Sequence, residues 1–161
     1  HSLRRRQRQM CIRDRFNDRL DLAIRTANRR TSTLALLFVD MNDFKGINDI
    51  YGHAMGDRVL CMVARRLESC VRETDTVARM GGDEFTVLLT DIRSQDVVLE
   101  KVAQINAIMA EPLGVEFGGM HMPSCSIGVA FYPEDGEDAD TLLSHADGDM
   151  YRIKRHRSLA G

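Results

Sequence analysis

The chain has 161 residues, a formal net charge of −2, 43% hydrophobic and 29% charged residues, the size and balance of one globular domain with a single core. The near-neutral charge gives no broad electrostatic pull toward nucleic acid, so an anionic ligand has to be held by a local site. Cys11, Cys61, Cys70 and Cys125 form no C-x-x-C pair and have no histidine partners at zinc spacing, which argues against a zinc site and for idle thiols in a reducing compartment; with no apolar run of about 18 residues and no signal peptide, a cytoplasmic location is expected.

Residues 1–15 are basic, with Arg4-Arg5-Arg6-Gln7-Arg8, and show no clear periodicity. They are read as an N-terminal extension, with a linker, a nucleic-acid-binding arm and a non-native addition all open. A regular pattern begins at Phe16, where Phe16, Leu20, Ala23, Ile24 and Ala27 share one helical face. The apolar run Leu34 to Val39 stops abruptly at Asp40 and reads as a strand buried on both faces. Val59, Leu60, Val63, Leu67 and Val71 mark a second helix led in by Gly56-Asp57. Runs 76–80 and 85–89 read as two strands joined by a tight hairpin at Gly81-Gly82-Asp83-Glu84. Val98, Val102, Ile105 and Met109 give a third helix ended by Pro112 and Gly114. Two more strands are expected, around 114–117 and 124–131, before a last helix carrying Leu142, Leu143, Ala146, Met150 and Ile153. This order predicts an α/β layer fold, one sheet covered by helices.

Two segments carry chemistry. At the hairpin, Gly81 and Gly82 let a ligand approach the backbone closely. The adjacent carboxylates of Asp83 and Glu84 repel one another, and a hard divalent cation that also bridges substrate phosphates would relieve that repulsion. The plain alternative is a hairpin tipped with solvated acids. At the strand end, the Asp40 carboxylate should emerge at the edge of the sheet where open α/β folds place ligands. If the hairpin lies beside this strand, Asp40 and Asp83 come within reach of one metal, with Lys45 and the following backbone amides facing phosphate oxygens. The alternative there is a loop with an exposed aspartate.

The pentapeptide Gly81-Gly82-Asp83-Glu84-Phe85 resembles the motif that names the GGDEF domain of diguanylate cyclases, and the resemblance extends over residues 16–157. Asp40-Met41-Asn42-Asp43-Phe44-Lys45 is similar to the family's D-x-D/N-x-F-K; Ile47-Asn48-Asp49, Gly52-His53 and Gly56-Asp57 follow at family spacing; Ser126 to Ala130, Tyr132-Pro133, Met150-Tyr151 and Lys154 resemble its late strand and final helix. The resemblance implies a nucleotidyl-cyclase-like, ferredoxin-like core with a mostly antiparallel five-stranded sheet flanked by helices, residues 158–161 forming a tail. It implies an enzyme that condenses two GTP into cyclic di-GMP and two pyrophosphates, with Mg²⁺ or Mn²⁺, across a homodimer. Asp40, Asp83, Glu84 and the Met41 carbonyl would be the metal ligands, and Glu84 with Asp83 the catalytic acids. Asn48 and Asp57 would read guanine: an amide serves its O6 and N7, and a carboxylate accepts from its N1–H and amine. Lys45, Lys154, Asp43, Phe44, Gly81 and Gly82 would line the rest of the substrate site. Arg72 and Asp75 fit the family's R-x-x-D inhibitory site for the product. No nucleic-acid partner and no membrane segment are implied.

Plainer roles stay open beside these: turn and helix-cap work for Asn48 and Asp57, a surface lysine at Lys154, and an i,i+3 ion pair for Arg72 and Asp75. The chain also departs from the family pattern. The usual D-x-L-T-x-L-x-N-R lead-in is absent before Phe16. Arg155-His156-Arg157-Ser158 follows Lys154 in place of G-R-N, so a phosphate-binding arginine is missing or displaced to Arg157. Asp149 stands where a small apolar residue is common. A catalytically silent domain that senses GTP or cyclic di-GMP is the competing function, and an adenylate-type cyclase or polymerase palm a third.

Overall fold

The computed structural model describes the backbone of residues 2–160 and the side chains of residues 12–160; the side chains of Arg4 to Arg8 and of Cys11 lie outside the described residues. In chain order the elements are α1 (Ser2–Arg30), β1 (Thr33–Met41), α2 (Phe44–Tyr51), α3 (His53–Ser69), β2 (Thr76–Gly81), β3 (Glu84–Ile92), α4 (Gln95–Ala110), β4 (Cys125–Tyr132) and α5 (Ala139–Ala160). The helix that carries Phe16 therefore runs back without a break to Ser2.

The strands form one sheet in the order β2-β3-β1-β4, every neighbouring pair antiparallel. With its helices this is the β-α-β-β-α-β arrangement of a ferredoxin-like core. The pleat sends alternate residues of β1 to opposite faces. Ala35, Leu37, Val39 and Met41 enter a core with residues of α3 and α4, including Val59, Val63, Leu67, Val98 and Ile105. Leu34, Leu36 and Phe38 enter a second core with Phe16, Leu20 and Ile24 of α1 and Leu142, Ala146 and Met150 of α5. This two-sided cover explains why β1 reads as an unbroken apolar run.

The sheet has four strands among the described residues, and the fifth expected around 114–117 is corrected by the structure. Val115–Phe117 makes one 3-10 turn, and Gly118 and Gly119 follow with φ of 65° and 75°. Three residues cut off by two glycines in left-handed conformations cannot sustain a ladder, and only Phe117 of the three is buried. Two further differences lie near the site. Residues 44–51 form α2, a helix too short to show a periodic pattern, with Phe44 and Ile47 buried one turn apart. The next helix starts at His53, so Asp57 sits inside α3 and caps nothing; its N-cap position is Gly52, with no side-chain bond.

Because β4 is an edge strand, some of its backbone groups face away from β1. The Val129 N–H donates to Asp149 Oδ2 at 2.9 Å, the Phe131 N–H donates to Asp135 Oδ2 at 2.7 Å, and the Cys125 carbonyl accepts from Arg157 Nη1 at 2.6 Å. Asp149 and Arg157, both departures from the family pattern, thus tie α5 to β4. The described cysteines are free. Cys61 is exposed, Cys70 and Cys125 are buried, and burial pushes the Cys125 thiol up to about 11.

The tightest approach in this layer is at Gly128, where a Cβ would lie 2.1 Å from the Ala146 carbonyl oxygen and 2.2 Å from the Met150 nitrogen. Backbone cannot yield as a flexible side chain does. Gly128→Ala is expected to lower unfolding stability by about 3 kcal/mol through forced separation of α5 from the sheet, read by denaturant unfolding. A loss under about 0.5 kcal/mol, the range of a neutral surface change, would contradict this packing.

Candidate active site

Asp40 is an even-numbered residue of β1 and so follows Leu34, Leu36 and Phe38 onto the face covered by α1 and α5. Glu84 is its direct cross-strand partner on β3. Asp83 occupies the turn between β2 and β3, and its carbonyl accepts the Met41 N–H at 3.2 Å, which fastens the hairpin tip to the end of β1. Arg79 Nε donates to the Gly82 carbonyl at 2.9 Å from within the hairpin. Three carboxylates from two strand ends and a turn are thereby gathered at one corner of the sheet.

That gathering has an electrostatic cost. Asp40 is only 7% exposed. Partial burial and then the Asp40 charge push the Asp83 carboxyl above its ordinary value, against the lowering effect of Lys154. Glu84 is likewise raised, first by partial burial and then by Asp40, with Arg13 acting in the opposite direction. Two cations reach in. Lys154 Nζ of α5 lies 2.5 Å from Asp40 Oδ2. Arg13 of α1 donates from Nε to the Met80 carbonyl at 3.0 Å, and its Nη2 stands 4.0 Å from Glu84 Oε2. Among the described residues no set of three or more His, Cys, Asp or Glu is arranged as a ready-made metal cage. The donors are nonetheless hard oxygens sharing mutually repelling charge, the set that suits a small divalent cation completed by water and phosphate.

The other expected site residues are distributed around this corner. Asp43 adopts a left-handed conformation (φ 53°) and opens α2, while Lys45 is exposed in its first turn and Phe44 is buried. Gly52 (φ 87°) turns the chain into α3. A Cβ on Gly56 would stand 2.0 Å from Asn48 Oδ1, so the Asn48 amide occupies the space that glycine leaves open, one residue from Asp57. Arg58 is held by the Glu116 carbonyl at 3.1 Å and by the Phe117 ring at 4.9 Å, joining α3 to the 114–119 loop.

Arg72 and Asp75 are not part of this corner. They precede Thr76, at the end of β2 opposite Gly81, roughly 17 Å away for a strand of that length. Both Asp75 oxygens accept backbone N–H groups, from Arg72 at 2.9 Å and Thr90 at 3.1 Å. The carboxylate therefore shapes the turn rather than pairing with the guanidinium, and the exposed Arg72 lines a groove with Arg19, Glu68, Glu73 and Thr76.

Sequence reasoning missed Arg13, which lay in the stretch read as an extension, and the polar brace behind Asp40. Ser126 faces Asp40 across β1 and β4 and is fully buried; its hydroxyl donates to Asn42 Oδ1 at 3.0 Å, and Asn42 Nδ2 donates to Ser124 Oγ at 2.9 Å. A serine interrupting the apolar run of β4 was the available signal.

A family model described as "Diguanylate cyclase, GGDEF domain" matches residues 9–158. The chain belongs to the GGDEF domain family. It is 44% identical over 140 residues to diguanylate cyclase TpbB of Pseudomonas aeruginosa, covering 87% of this chain and 32% of that protein. It is 43% identical over 129 residues to diguanylate cyclase DgcM of Escherichia coli, covering 78% and 30%. The chain thus spans about a third of the length of these relatives. Among solved structures, the GGDEF domain of the P. aeruginosa protein superposes with a TM-score of 0.86 at 44% identity, covering 89% of each chain. The GGDEF domain of DgcB from Caulobacter crescentus, in complex with c-di-GMP, superposes with a TM-score of 0.78 at 28% identity, covering 88% of this chain and 83% of that one.

Carboxyls with folded-state pKa values above their unfolded ones hold extra protons when folded, so their favourable contribution is present at low pH and is lost as pH rises through the folded values. In chelator, the GGDEF domain with Asp83→Asn and Glu84→Gln together should be more stable than wild type near neutrality. That gap should close as the pH falls toward the ordinary carboxylate range. Denaturant unfolding across that range measures it, and a pH-independent gap would contradict the electrostatic account.

Proposed function

We propose that this domain is a diguanylate cyclase that joins two GTP molecules into cyclic di-GMP with release of two pyrophosphates. The reading is supported chiefly by one observation: Asp40 and Glu84 are cross-strand partners on one face, with Asp83 at the adjoining turn. Asp40, Asp83, Glu84 and the Met41 carbonyl would hold Mg²⁺ or Mn²⁺. A divalent cation there supplies neutralisation of phosphate charge and steadies the attacking and leaving oxygens of an in-line displacement.

The protein's own groups do the rest. Asn48 and Asp57 present an amide and a carboxylate to the guanine edge; adenine would leave both mispaired, and unpaired buried polar groups are penalised strongly. The amides after Asp43, with Lys45 and Lys154, take the triphosphate, while Gly81 and Gly82 admit it close to the hairpin backbone. Glu84 receives the proton of the 3′-hydroxyl as that oxygen attacks the α-phosphate of the second GTP. Its raised pKa brings it closer to the working pH of a general base. One domain holds one nucleotide, so ring closure takes two domains face to face, and rate should rise faster than linearly with protein concentration. Arg72, exposed beside the fixed Asp75, can grip a phosphate and stack on a guanine, which makes feedback by the product part of the same proposal.

The decisive assay is release of pyrophosphate and formation of cyclic di-GMP from GTP with Mg²⁺. Glu84→Gln should lower kcat by about 10²-fold or more while cyclic di-GMP binding persists, and Arg72→Ala should remove product inhibition. Absence of product from a folded, dimeric wild-type sample that still binds cyclic di-GMP would favour the silent sensor, and equal use of ATP would overturn the guanine assignment. Gly56→Ala should displace the Asn48 amide and raise KM for GTP about tenfold, the scale of one lost hydrogen bond, whereas an unchanged KM would remove Asn48 from the guanine pocket.

A further inference from the structure

Lys154 is 114 residues from Asp40 in sequence, yet its ammonium rests 2.5 Å from Asp40 Oδ2. The helix that carries it is fixed on both sides. Asp149 accepts the Val129 N–H one turn before, and Arg157 donates to the Cys125 carbonyl one turn after. The Lys154 backbone is therefore held in place, while its side chain is still 37% exposed against 10% for Asp40. A flexible stem on a fixed base can change partners without moving the fold.

We propose that Lys154 is a tethered stand-in for the divalent cation, and that its transfer from Asp40 to the nucleotide's phosphates couples metal loading to nucleotide binding. The inference rests on the reading of Asp40 as a metal ligand. A bare cation approaching the corner meets an ammonium already seated on the least exposed of its three carboxylates. Evicting that ammonium toward water deprives it of the anion it pairs with. A triphosphate supplies one, so metal and nucleotide each make room for the other, and by linkage the effect is reciprocal. Lys154 is in this sense a positioning residue for the metal before it is a phosphate contact. Arg13 is the weaker counter-ion, more exposed and 4.0 Å from Glu84.

The test measures binding, not turnover. Mn²⁺ affinity is read by electron paramagnetic resonance, alone and with a non-hydrolysable GTP analogue, for wild type, Lys154→Ala and Lys154→Arg, with circular dichroism as the folding control. Wild type should bind Mn²⁺ weakly alone and about tenfold or more tightly with the analogue. Lys154→Ala should bind Mn²⁺ alone about tenfold tighter than wild type, with the analogue adding little; Lys154→Arg should restore the coupling. If Lys154→Ala leaves metal-only affinity unchanged or weaker, the stand-in role is overturned while the metal site survives. If wild type binds no Mn²⁺ even with the analogue, the metal reading itself fails. Should Lys154→Ala not fold, Lys154→Gln carries the same comparison.

Discussion

The site depends on the placement of β1 in the middle of a sheet covered on both faces. A strand in that position buries apolar side chains without alternation, each contributing about 1.5–3 kcal/mol, and slipping it by one residue would reverse both cores at once. Its register is therefore fixed far more firmly than any polar contact could fix it. Asp40, the first polar residue to emerge from that run, inherits this precision. Pairing with β3 brings Glu84 opposite it, and the hydrogen bond from Met41 to the Asp83 carbonyl brings the turn alongside. The geometry of this corner is a by-product of hydrophobic register.

The same placement works against comfort at the corner. At the rim of a low-dielectric sheet, partial burial and then the Asp40 charge raise the pKa values of Asp83 and Glu84, and the fold answers with one ammonium and one guanidinium from α5 and α1. Such a cluster would be eliminated if stability were the only demand, since an apolar or amide replacement relieves the repulsion at little cost. The divalent cation proposed above would complete the charge balance. The brace of Ser126, Asn42 and Ser124 behind Asp40 has the complementary task of keeping polar atoms satisfied where the strand end leaves the core.

Much of this was legible in the residues. The apolar run 34–39 and its halt at Asp40, the two glycines of the hairpin, and the periodic faces of α1, α4 and α5 are strong local signals, and each became the element it suggested. The misses have physical causes. Val115-Glu116-Phe117 alternates like a strand, but three residues between Gly114 and Gly118 lack the length to pair. Helix α2 has eight residues and two buried side chains, below the length at which a period can be seen. The start of α3 was hidden because its first turn contributes no apolar stripe. Arg13 was invisible because its role is tertiary: nothing in the local sequence says that a basic helix will pass the hairpin.

The bonds along the outer margin of β4 have a consequence beyond anchoring α5. A strand with free amides and carbonyls is an invitation for any other extended chain to zip onto it. With Asp135, Asp149 and Arg157 already seated on that margin, part of the ladder that another strand would need there is already taken. In the two-domain arrangement proposed for ring closure, contact would fall to loops and side chains, and such meetings can end as readily as they begin.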